Sequence, residues 1–151
     1  MMMTSTENKV PKVFLDTNVI IDGLTERDNA YKPSKELLRL IVAGKYKGYI
    51  CSKQITDIHY IFRKYVNSKA DIMRYIKNIT LFFEIMPLLK GDILACLKSK
   101  APDFEDAILC EVAKTNMIPI LVTNDVKGFD GYTPLLVVTP QQFLEMFSLE
   151  Q

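Results

Sequence analysis

Along the chain, short runs of β-branched and aromatic residues alternate with longer stretches where apolar residues recur every three or four positions. The first run, Lys12 to Leu15, ends in Asp16-Thr17-Asn18, a strand followed by a turn. Val19 to Leu24 fits a short helix. Leu37, Leu38, Ile41 and Val42 share one side of a helix over Pro33 to Ala43, which Gly44 ends. Lys47 to Cys51 reads as a second strand, and Ser52 as the N-cap of a helix reaching Val66. A helix follows over Lys69 to Ile79, then a strand over Leu81 to Met86 closed by Pro87, and helices at Asp92 to Lys98 and Asp103 to Thr115. Ile120 to Val122 and Leu135 to Val138 complete the strands, and Thr139-Pro140 opens a last helix with Pro at its first position.

Strands alternating with helices predict an α/β fold: three layers, αβα, around a mostly parallel central sheet of about five strands. No repeat or linker divides the chain, so residues 11–151 read as one domain behind a flexible segment at 1–10. Ligands of such sheets sit beyond the carboxyl ends of the strands, near a switch in strand order.

Composition narrows the chemistry. The longest apolar stretch, Leu81 to Leu89, is broken by Glu84 and Pro87, and falls short of the ~20 residues of a membrane span. The first ten residues lack the apolar core of a signal peptide. Cys51, Cys96 and Cys110 have no C-x-x-C spacing and read as reduced, packed thiols, which places the protein in the cytoplasm with no membrane partner. His59 is the single histidine, so two-histidine chemistry within one chain is excluded and carboxylates become the expected working groups.

The net charge of +1 hides an asymmetry. Lys32 to Lys77 holds eleven Lys and Arg against three acids, while the rest of the chain carries eight against fifteen. That division fits a basic face for a polyanion beside an acidic region for cations, although lysine-rich solvated helix faces would give the same count.

Acids recur at the element ends. Asp16 follows the first strand directly and Asp125 the fourth after two residues. Asp57 lies early in the helix after the second strand, as a site residue or a solvated acid. Asp103 and Asp106 open the helix before the fourth strand, three residues apart on one face; Asp103 also suits a helix cap. Carboxylates crowded at one sheet end would repel unless cations were bound, and oxygen-only ligands favour Mg²⁺ or Mn²⁺.

Four pieces in order, L-D-T-N at Leu15 to Asn18, S-x-x-x-T-D at Ser52 to Asp57, D-F-E-D-A at Asp103 to Ala107 and T-N-D at Thr123 to Asp125, resemble the PIN-domain family, which includes the VapC-type toxins. The resemblance implies a PIN-like fold and metal-dependent endoribonuclease activity, with Asp16, Asp106 and Asp125 binding metal. Asp57 would join them as a catalytic acid, in a place usually filled by glutamate, its shorter side chain reaching the metal through water. Asn18 and Thr123 would orient the acids, Asp103 would assist, and Asp130 would lie outside the motif. RNA is the implied substrate. An antitoxin protein, or a homodimer, is the expected partner.

Arg63, Lys64 and Arg74 are the candidate phosphate contacts in the basic segment, and Tyr46, Tyr49 and Tyr60 are placed to stack bases or to pack in the core. Two other readings stay open: a non-catalytic RNA-binding or interaction module on the same fold, and a phosphatase with Asp16 as nucleophile. Haloacid-dehalogenase-type phosphatases need a second Asp two positions on, where this chain has Asn18.

Overall fold

The computed structural model describes residues 9–27, 29, 31–129 and 134–148. Most of the segment expected to be flexible, and Asp130, lie outside the described residues. The elements run β1 (Lys12–Leu15), α1 (Thr17–Thr25), α2 (Tyr31–Val42), β2 (Lys47–Cys51), α3 (Ser52–Tyr65), α4 (Lys69–Phe82) and β3 (Phe83–Met86). Then follow α5 (Lys90–Lys98), α6 (Phe104–Thr115), β4 (Ile120–Val122), a 3₁₀ turn (Val126–Phe129), β5 (Leu136–Val138) and α7 (Pro140–Ser148).

All five strands are parallel, in the order β3-β2-β1-β4-β5. β1 is central, and its Val13, Phe14 and Leu15 are fully buried. Each contributes on the order of 1.5–3 kcal/mol of burial, which explains why so short a run holds as a strand. Because side chains alternate across a strand, Val13 and Leu15 join the cluster under α1–α4 and α7, while Phe14 joins the cluster under α5 and α6. The result is the expected three-layer αβα arrangement.

The chain builds outward from β1 through β2 to β3, then returns to lay β4 on the other side of β1. β1 and β4 end level, with Leu15 paired to Val122, and the Asp16 N–H donates to the Val122 carbonyl at 2.9 Å. The residues following these two strands therefore emerge side by side at the switch in strand order, where parallel sheets bind ligands.

Several boundaries differ from expectation by one to three residues, as at the starts of α1, α2, α5 and β5, and two of the differences have a clear physical reason. Helix α4 continues through Phe82, so the third strand starts at Phe83 rather than Leu81; an apolar run this short carries no periodicity that separates helix from strand, and pairing of Phe83 with Gly48 sets the start. Ser52 is the first residue of α3 and not its cap. Cys51 takes the cap position, its N–H donating to Gln54 Oε1 at 2.7 Å. All three cysteines are buried. Among the described residues no helix is long and apolar enough to cross a membrane.

Candidate active site

Asp16 is fixed from both sides. It caps α1, with Oδ1 accepting from the Thr17 N–H at 2.7 Å, and its Oδ2 accepts from the buried Thr123 hydroxyl at 2.8 Å. Thr123 Oγ1 in turn accepts from the Asp125 N–H at 3.0 Å and from Asn18 Nδ2 at 3.4 Å. Asn18 Oδ1 accepts from the Asn124 N–H at 3.1 Å. Asn18 and Thr123 thus tie the ends of β1 and β4 together and aim Asp16, while Asp125 stands beside them.

Asp106 comes from α6. Asp103 caps that helix, its Oδ1 accepting from the Asp106 N–H at 2.9 Å. Gly128 reports where Asp106 and Asp125 meet. A Cβ added there would lie 3.2 Å from Asp106 Oδ2 and 3.3 Å from Asp125 Oδ2, so the two carboxylates border one space that the glycine leaves open. Burial, then the charges of Asp103, Asp16, Asp125 and Glu105, push the Asp106 carboxyl up to about 7. Burial also raises Asp16, against the bonds from Thr123 and Thr17, with Asp125 adding to the rise.

Asp16 and Asp106 line an open cleft of about 370 Å³, together with Asn18, Arg27, Lys53, Asp57, Tyr60 and Glu105. Asp57 faces this cleft but is engaged by Lys53, whose Nζ lies 2.8 Å from Asp57 Oδ2 and 3.5 Å from Glu105 Oε1. Asp16, Asp106 and Asp125 offer hard oxygen donors whose charges act on one another. That donor set fits a divalent cation. Among the described residues, no three His, Cys, Asp or Glu side chains stand arranged to hold a metal ion.

The basic candidates lie elsewhere. Arg63 borders a separate depression with His59 and Lys69, Arg74 pairs with Asp71 at 3.0 Å, and Lys64 lies over the Tyr60 ring at 5.0 Å from its centroid. None of the three lines the cleft. Of the tyrosines, Tyr46 and Tyr49 are buried in the core, and Tyr60 is 59% exposed at the cleft.

Sequence reading missed four contributors. Lys53 and Glu105 looked like ordinary helix-surface charges, although the i, i+4 spacing of Lys53 and Asp57 signalled their pairing. Gln54 is buried, its Nε2 donating to the Leu15 carbonyl at 2.9 Å and to Thr17 Oγ1 at 3.1 Å. Its position three residues after the cap was the available signal. Arg27 reaches the cleft from the α1–α2 connection, with Nε 2.6 Å from the buried Asp22, and nothing local in the sequence points to it.

The family model described as the PIN domain matches residues 12–127. Among curated proteins, "Ribonuclease VapC1" of Aquifex aeolicus (strain VF5) is 30% identical over 143 residues, covering 91% of this chain and 96% of that protein. Among solved structures, VapBC2 from Rickettsia felis, bound to a DNA fragment from its promoter, aligns with a TM-score of 0.63 at 16% identity, covering 83% of this chain and 96% of that one. Mycobacterium tuberculosis VapC20, described as a Sarcin-Ricin loop cleaving toxin, aligns with a TM-score of 0.62 at 11% identity, covering 82% and 98%. At these identities the structural likeness bears on the fold alone. With the family model spanning most of the chain and a 30% identical relative matched almost end to end, the chain belongs to the PIN-domain family.

Proposed function

We propose that the protein is a metal-dependent endoribonuclease and the toxin of a toxin–antitoxin pair, with Mg²⁺ or Mn²⁺ held by Asp16, Asp106 and Asp125. The observation that carries this reading is the meeting of Asp106 and Asp125 over Gly128, beside an Asp16 locked by Thr123. A divalent ion bound there supplies charge neutralisation for the phosphodiester and activation of water. The chain's own part is orientation. Thr123 and the Thr17 N–H hold both oxygens of Asp16, and Asn18 holds Thr123, so the carboxylate meets its ligand already aligned. Tyr60 offers an exposed ring at the cleft on which a single-stranded base can stack.

The relatives named as VapC and VapBC support a toxin role with a protein antitoxin. An apolar groove lined by Leu24, Leu38, Val42, Tyr75 and Phe82 adds to this, with Val42 51% and Phe82 44% exposed. It is a surface suited to an amphipathic partner helix. Leu37 and Phe62 are buried and do not add to that surface.

Single-stranded RNA should be cut in Mg²⁺ or Mn²⁺ and spared in chelator, and Asp16→Asn should abolish cutting while leaving the fold intact. Equal rates for the wild type and Asp16→Asn would remove the catalytic assignment. RNA binding that persists in chelator, with no cleavage once metal is restored, would favour a non-catalytic module. A trapped aspartyl-phosphate would favour the phosphatase.

A further inference from the structure

Lys53 stands in an acidic cleft at a position that gives little to the helix that carries it. It is the second residue of α3, where the positive end of the helix dipole disfavours a cation. Its i, i+4 pairing runs lysine before aspartate, the weaker of the two orders. Its side chain is nevertheless only 27% exposed, and its ammonium bridges acids from two elements, Asp57 of α3 and Glu105 of α6. Burial works against its charge, but the bonds to Asp57 and Glu105 outweigh burial and raise its proton affinity, so it stays an ammonium. Its charge also acts on Asp16. The mounting is firm, because the adjacent Gln54 anchors the start of α3 to Leu15 and Thr17, the residues on either side of Asp16.

We infer that the Lys53 ammonium takes the place of a second divalent ion in the cleft. It sits between Asp57 and Glu105 where a second divalent ion would otherwise be drawn, so the protein binds one metal ion, and Lys53 meets the substrate phosphate on the α3 side. Lysine binds phosphate as a point charge on a mobile stem, and it can leave Asp57 for the incoming anion. This also gives a physical role to aspartate at position 57: the carboxylate holds the lysine. The inference rests on the nuclease reading and deepens it.

Mn²⁺ binding to wild-type protein, counted by electron paramagnetic resonance, should give one ion per chain, and two ions would overturn the inference. RNA affinity is then measured against salt in the Asp16→Asn background, where no cutting occurs. Lys53→Met should weaken binding and lower the salt slope by ~0.7, as expected when one phosphate of a single strand is no longer neutralised, whereas Lys53→Arg should keep both. An unchanged slope in Lys53→Met, or an equal loss in Lys53→Arg, would also overturn it. A count of two ions overturns the inference even if Lys53→Met fails to fold. Failure to bind any ion or cut any RNA would instead sink the nuclease reading itself.

Discussion

At the scale of single residues, the site concentrates carboxylates that repel one another. Burial and the surrounding carboxylates raise Asp106 to about 7, far above its ordinary 3.8, so the folded state holds a proton that the unfolded chain releases near pH 4. Between about pH 4 and pH 7 the folded state therefore binds more protons, and stability falls as pH rises through that window. Metal-free protein should melt at a lower temperature at pH 7.5 than at pH 5, and Asp106→Asn should flatten this dependence and raise the metal-free melting temperature at pH 7.5 by a few degrees. The same variant should lose the gain in melting temperature that Mg²⁺ or Mn²⁺ gives the wild type. A fall of several degrees in the metal-free variant would assign Asp106 a structural role at the start of α6 instead. Gly128 belongs to the same account, since any side chain there would enter the space between Asp106 and Asp125.

At the scale of elements, the helices do two kinds of work. The starts of α1, α3 and α6 deliver Asp16, Lys53 and Asp106 to the cleft, each secured by a bond to a neighbouring strand end or cap. The α1–α2 connection is tied in by a buried network. Asp22 binds Arg27 at 2.6 Å and Asn124 Nδ2 at 2.7 Å, and Asn124 also reaches the buried Ser34 at 3.2 Å. Farther along, α3 and α4 expose Arg63, Lys64 and Arg74 outside the cleft. As a path for RNA leading away from the cleft, they should contribute affinity without sequence preference. A combined alanine variant should weaken RNA binding and lower the salt slope by ~0.7 for each phosphate that these side chains neutralise in the wild type. The self-pairing of Arg74 with Asp71 predicts a smaller share for that residue. Unchanged affinity and slope would show that the three side chains are only a solvated helix face.

At the scale of the whole molecule, the return of the chain across β1 places the termini of two strands beside each other, and Asp16, Asp106 and Asp125 from three segments act on one another there. On the ribonuclease reading, the activity needs restraint. Expression alone should slow growth, Asp16→Asn should relieve the effect, and purification from the native host should recover a small protein bound to the chain. An active enzyme that is harmless when expressed and purifies as a lone monomer would count against the toxin role while leaving the nuclease reading in place. The local pattern was enough to determine the order and type of the elements. Period-2 and period-3.6 patterning states which face of each segment is buried. Acids at the ends of buried elements make Asp16, Asp57, Asp103, Asp106 and Asp125 candidates, among which the resemblance to the PIN-domain family singles out Asp16, Asp106 and Asp125. Local pattern could not separate the end of α4 from the start of β3, since both are apolar. Nor could it distinguish Arg27, Lys53, Gln54 and Glu105 from the surface charges and amides that any helix carries. Their roles depend on partners far away in the chain, such as Gln54 with Leu15 and Lys53 with Glu105. Only the packing of α3 and α6 against opposite faces of one sheet brings those partners within reach.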